Sequence, residues 1–149
     1  MKQLQIENAR IGYRNFRGAE GPYNRQGDRN FVVFLDEDFA ADLEKDGWNI
    51  KWPKPNPAID PNEDQRQPYL PVEVSFRHQP PKVVLLAGEN VNMMKEDQLS
   101  TLDYAEIEHV DLVINPYSWE VNGKTGVKAY LKAIYVTLET DLFTDKYGI

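Results

Sequence analysis

Two stretches of the chain combine aromatic rings with cations in a way that suits a ligand carrying both flat rings and negative charge. In the first, Arg14-Asn15-Phe16-Arg17 is followed by Tyr23-Asn24-Arg25 and then by Arg29 ahead of Phe31. Residues 10–34 hold five arginines and no lysine. Arginine pairs with phosphate and also stacks on planar rings, which lysine does less well. In the second, Asn122-Gly123 separates the alternating runs Ile107–Trp119 and Thr125–Leu138. Asn-Gly between such runs marks a hairpin, because a type I′ turn needs positive φ at both central residues. That turn sets Val121 opposite Lys124, Trp119 opposite Gly126, Tyr117 opposite Lys128, Asn115 opposite Tyr130 and Val113 opposite Lys132. Opposed residues share a face. One face then carries Tyr117, Trp119, Lys128, Tyr130 and Lys132, with Lys124 beside the turn. The other carries Leu112, Ile114, Val127, Ala129, Leu131 and Ala133, an apolar set that belongs in the core. Exposed rings with lysines between them are what single-stranded nucleic acid requires, since every base has a face to stack and every nucleotide a phosphate to neutralise. The competing explanation is that the rings pack across the strands or beneath a covering loop.

Other residue types that could do chemistry lack the necessary pattern. Asp60-Pro61-Asn62-Glu63-Asp64 imitates the start of a calcium loop, but Gln65 replaces the turn glycine and Pro71 the bidentate acid. There is no phosphate-binding glycine motif. His78 and His109 are far apart and have no metal-ligand spacing. The carboxylates come in blocks, and no pair stands out for acid–base work. Asp36-Glu37-Asp38 suits helix capping and the helix dipole. These residues predict a non-enzymatic protein that needs no cofactor and no metal.

The elements that must position the two basic aromatic stretches are mostly strands. Residues 3–13 alternate through Leu4, Ile6, Ala9, Ile11 and Tyr13, with an interruption at Asn8, as a half-buried strand does. Gly18, Gly21, Pro22 and Gly27 make 14–28 a long loop. Asn30–Leu35 reads as a second strand, and Asp36–Asp46 as a short capped helix with Phe39, Ala40 and Leu43 inward. Trp48–Trp52 alternates again. Pro53, Pro55, Pro57 and Pro61 then exclude regular structure, so 53–67 is a surface loop. Tyr69–Phe76 and Lys82–Ala87 predict two more strands. Glu96–Glu106 suits a turn or two of helix, with Leu99, Leu102 and Tyr104 toward the core.

Composition is compatible with one folded domain over 1–149. Hydrophobic residues are 41% and charged residues 28% of the chain. The absence of cysteine removes disulfides and thiolate metal sites and makes the cytoplasm the expected compartment. The longest apolar runs, Phe31–Leu35 and Val83–Ala87, fall far below the roughly 20 residues of a membrane helix. The net charge of −7 is unevenly distributed. Six acids against Lys45 lie in 36–46, and seven against Lys95 in 89–111. Residues 10–34 and 112–136 are net basic, which permits a local basic surface on an acidic protein.

The same stretches resemble a known family. Tyr13-Arg14-Asn15-Phe16, Gly27-Asp28-Arg29-Asn30-Phe31 and Asp46-Gly47-Trp48-Asn49 are similar to segments of phage and prophage single-stranded DNA-binding proteins. So are Asp111-Leu112-Val113-Ile114, Pro116 through Gly126, and Lys128-Ala129-Tyr130-Leu131-Lys132. The resemblance implies an OB-type antiparallel β-barrel that coats single-stranded DNA in replication and recombination, in the host cytoplasm if phage-encoded. It points at Arg14, Phe16, Arg29 and Phe31, and at Tyr117, Trp119, Lys128, Tyr130 and Lys132. An OB fold binds its strand across the barrel face and between long loops, here 14–28 and the 119–126 tip. With Arg17, Tyr23, Arg25 and Lys124 these make up the expected interface. Single-stranded DNA is the expected partner, with RNA as the alternative strand, and no membrane. Homodimer or higher self-association and a replication or recombination protein remain open partner classes. The alternative function is a structural or assembly β-domain, such as a virion component, whose aromatic face contacts other subunits. Residues 140–149, acidic with Leu142, Phe143 and Ile149, form a candidate C-terminal tail outside the DNA site.

Overall fold

The computed structural model describes residues 1–77 and 79–139. Its strands are β1 (Leu4–Ile6), β2 (Arg10–Asn15), β3 (Arg29–Phe34), β4 (Tyr69–Val74), β5 (Lys82–Ala87), β6 (Asn90–Met93), β7 (Ile107–Val121) and β8 (Lys124–Leu138). Helix α1 (Glu37–Lys45) follows β3, and a 3-10 helix (Glu96–Asp103) precedes β7. His78 and the expected tail 140–149 lie outside the described residues.

The ladders run in the order β1-β7-β8-β4-β3-β2, with β5 and β6 branching from β8. Neighbours are antiparallel except that β4 and β5 both run parallel to β8. No ladder joins β1 to β2, so the sheet is a barrel only loosely. Its ends are joined instead by the chain itself, through Glu7–Ala9. Asn8 turns there with φ of 50°, and its N–H donates to Asp111 Oδ1 at 2.9 Å. The Ala9 N–H donates to the Val110 carbonyl at 2.7 Å. The expected single strand over 3–13 is therefore two arms of one bent strand, gripping β7 on one side and β3 on the other.

Alternation decides what lies inside. Phe31, Val33, Leu70, Val72, Leu112, Ile114, Ala129 and Leu131 form the core with Phe16, Leu99 and Leu102. Asp36 caps α1 by accepting from the Phe39 N–H at 2.7 Å, and α1 buries Ala40 and Leu43.

Four expectations need correction. Lys132 does not face Val113; Ala133 does, while Ile114 faces Leu131. Lys132 is the extra residue of a bulge, which hands the core positions after it to Ile134 and Val136 and puts Ala133 on the opposite face. Trp48–Trp52 makes only isolated bridges, Trp48 to Val127 and Lys51 to Tyr69, because β4 already has neighbours on both edges. Tyr104 is 73% exposed. The three-residue turn of a 3-10 helix aligns Leu99 with Leu102 and leaves Tyr104 outside. Tyr13 is 71% exposed rather than inward like Ile11, because β2 breaks register between Gly12 and Asn15 and Tyr13 takes φ of 45°. Among the described residues no helix is long and apolar enough to cross a membrane.

Candidate nucleic-acid interface

The β7–β8 hairpin turns through Asn122 at φ 51° and Gly123 at φ 77°. Its register is as expected from Val121↔Lys124 to Asn115↔Tyr130. Alternation sends Val127, Ala129 and Leu131 inward, so Lys128 and Tyr130 must point out. Tyr117 and Tyr130 meet edge to face, with ring centroids 5.8 Å apart and planes at 83°. Tyr117 is 58% exposed. Trp119 lies flat across the strand on Gly126, where an added methyl carbon would stand 2.6 Å from the indole. Gly126 thus sets the ring's orientation. Lys124 flanks the turn and Lys132 projects at the bulge, both exposed.

Two acid–base effects mark this face. Lys128 Nζ pairs with Glu73 Oε1 of β4 at 3.1 Å. The hydrogen bond to Glu73 raises the lysine pKa, while the like charge of Arg25 opposes that shift. Burial raises the Tyr130 phenol above its ordinary value, and the Glu73 carboxylate adds to the shift. Arg25 belongs to the loop between β2 and β3.

The loop is built to hold its tip out. Phe16 and Phe31 are buried and stack at 5.1 Å with planes 18° apart. Asp103 accepts from the backbone N–H groups of Phe16, at 2.6 Å, and Arg17, at 3.2 Å. Arg14 Nη1 donates to the Leu102 and Ala105 carbonyls, at 2.8 and 2.9 Å. Asn24 Nδ2 donates to the Ala19, Arg25 and Asp28 carbonyls, closing the loop on itself. Arg29 is bound to Glu96 at 2.8 Å and lies over the Phe76 ring. What projects at the tip is Tyr23, fully exposed, with Arg17 exposed beside it and Arg25 paired to Asp28 at 3.3 Å.

The expected residues therefore divide into two groups. Tyr117, Lys128 and Tyr130 come together on one face, with Trp119, Lys124 and Lys132 farther along the hairpin and Arg17, Tyr23 and Arg25 on the loop. Phe16 and Phe31 are core residues, and Arg14 and Arg29 fasten the 3-10 helix to the sheet. As folded, neither phenylalanine offers a ring to a base.

The whole chain, residues 1–149, matches the model of a family described as "Putative phage ssDNA-binding domain". The chain belongs to this phage ssDNA-binding family. Solved structures share the fold of this family member. The single-stranded DNA-binding protein of bacteriophage Enc34 in complex with ssDNA aligns with a TM-score of 0.58 and 15% identity, over 93% of this chain and 88% of that one. A C-terminal truncation of the Enc34 protein aligns with a TM-score of 0.58 and 16% identity, over 93% and 87%. No curated protein sequence matches this phage ssDNA-binding family member.

Beyond the hairpin, the same sheet face carries rings that sequence reasoning missed. Phe34 and Tyr69 are opposed on β3 and β4, and Tyr13 meets both edge to face, at 5.8 Å each. Gly12 leaves room for the Phe34 ring, which a side chain there would overlap. That glycine inside a strand pattern was the available signal, since such glycines mark bulges and close approaches. Glu73 was also missed, although alternation with the inward Val72 and Val74 places it outward. Among the described residues no group of His, Cys, Asp and Glu could hold a metal ion.

Proposed function

We propose that the protein binds single-stranded DNA with little regard to sequence, across the outer face of β7, β8, β4 and β3, and that it coats exposed strands during phage replication or recombination. The observation that carries this reading is the Tyr117–Tyr130 pair on the outer face of the hairpin with Lys128 beside it. Bases stack on Tyr117, Trp119 and Tyr130, and phosphates meet Arg25, Lys124, Lys128 and Lys132, with Arg17 and Tyr23 reaching in from the loop. The Tyr13–Phe34–Tyr69 group extends the stacking surface on the barrel side where OB folds bind oligonucleotides. An aromatic residue held at positive φ costs of order 1–3 kcal/mol, and such strain clusters at binding sites. The reading uses binding alone, without a catalytic step. In the Enc34 complex the related protein is bound to ssDNA, which supports the same ligand here.

Tryptophan fluorescence titrated with oligo-dT at two salt concentrations tests the proposal. Quenching is expected, weaker at higher salt, and lost in Trp119→Phe. Titration without any change, together with concentration-dependent self-association, would favour the assembly-domain alternative.

A further inference from the structure

The face that presents Tyr117, Lys128 and Tyr130 also holds an acid at its centre. Glu73 pairs across β4 and β8 with Tyr130 and across β3 and β4 with Asn30, and its carboxylate lies 3.1 Å from Lys128 Nζ. Both partners are about half exposed, with side-chain accessibilities of 48% and 45%. An ion pair this open contributes little to folding stability. The fold needs only an outward polar residue at this position, because Leu70, Val72 and Val74 fill the core from the same strand. An acid here therefore needs another explanation, since it stands where a phosphate would approach Lys128 and beside the ring on which a base would stack.

We propose that Glu73 is an internal counter-ion which an incoming phosphate must displace from Lys128, and which recaptures the lysine when the strand leaves. This rests on the single-stranded DNA reading and deepens it by assigning Glu73 as the residue that limits affinity at this phosphate site. The exchange swaps one anion for another, so Lys128 is paired in both states. Strand release is eased because the competitor is tethered one strand away. Glu73 also stands opposite Tyr130 in register, next to the ring that receives the neighbouring base.

The test is a double-mutant cycle read by oligo-dT titration over a range of salt, with wild type, Glu73→Gln, Lys128→Gln and the double variant. Glu73→Gln should tighten binding roughly 2- to 5-fold, the scale of an exposed ion pair. It should steepen the log–log salt slope by about 0.7, one phosphate on a single strand, and leave the melting temperature unchanged. In the Lys128→Gln background the gain from Glu73→Gln should disappear. An equal gain in both backgrounds would show mere repulsion of DNA by a nearby acid and overturn the displacement. Unchanged or weaker binding by Glu73→Gln, with wild type binding normally, would overturn it as well. Failure of wild type and every variant to bind would instead remove the single-stranded DNA reading on which it rests.

Discussion

Trp119, Tyr130 and Leu131 are ordinary sheet residues whose meaning comes from the face they occupy. Trp119 and Tyr130 belong to the face that carries Lys128, while Leu131, next in sequence to Tyr130, is 3% exposed and packed in the core. Truncating them should therefore have opposite consequences. Trp119→Ala and Tyr130→Ala should each lower stability by less than about 1 kcal/mol, because both lie outside the core. Leu131→Ala should cost about 2–5 kcal/mol through lost burial and the cavity left behind. Thermal or denaturant unfolding checks the contrast, and a reversed order would mean that the faces are exchanged. These side chains were legible in the sequence because a two-residue period and an Asn-Gly turn fix register without tertiary information. The roles of Arg14 and Arg29 were not legible. Whether a guanidinium meets a phosphate or a helix-end carbonyl depends on where the 3-10 helix docks, and its docking is set by Leu99 and Leu102 in the core. Phe16 and Phe31 were unreadable for a related reason: a ring near arginines looks alike in sequence whether it faces water or another ring.

At the scale of elements, the hairpin shows where periodicity stops being sufficient. Its register holds from the turn to Asn115↔Tyr130 and then slips at Lys132. There β8 changes neighbour, pairing with β4 at Ala129 and Tyr130 and with β5 from Ala133 onward. The bulge lets one strand serve two partners, and nothing local to Lys132 announces it. β6 escaped notice because all four of its residues are exposed and it buries no face. The bend between β1 and β2 is held by Asp111, which accepts from the Asn8 N–H at 2.9 Å and meets His109 Nε2 at 2.8 Å. The Asn8 hydrogen bond, followed by that from His109, holds the Asp111 carboxyl below its ordinary 3.8. A depressed carboxyl pKa contributes stability that is complete above the unfolded value and lost as pH falls through the folded one. The melting-temperature gap between wild type and Asp111→Ala should thus be widest near neutrality and close as the pH drops below about 4. A gap that stays constant to pH 3 would detach Asp111 from the bend.

For the whole molecule, the puzzle is an acidic protein with a polyanionic ligand. The structure separates most of the charges, with Glu73 the acid left among the cations. The acids Glu37, Asp38, Asp42 and Glu44 lie on α1 or its last turn, and Glu96 and Asp97 on the 3-10 helix. The hairpin face keeps Lys128 and Lys132, with Lys124 at its tip. Net charge is a poor guide to partners when a sheet can sort side chains onto two faces and put its helices elsewhere. Sequence blocks showed that asymmetry, but the placing of the hairpin's outer face beside β4 is long-range and emerged only from the fold. Both effects converge on the claim that stacking on the outer hairpin face, aided by local cations, binds the strand. Base–aromatic stacking is worth about 1–3 kcal/mol per base. The most direct measurement is the oligo-dT affinity of Tyr130→Ala beside that of wild type at one fixed salt concentration. A folded Tyr130→Ala that binds roughly 5- to 150-fold more weakly is the predicted result, and a folded variant with wild-type affinity would contradict the account.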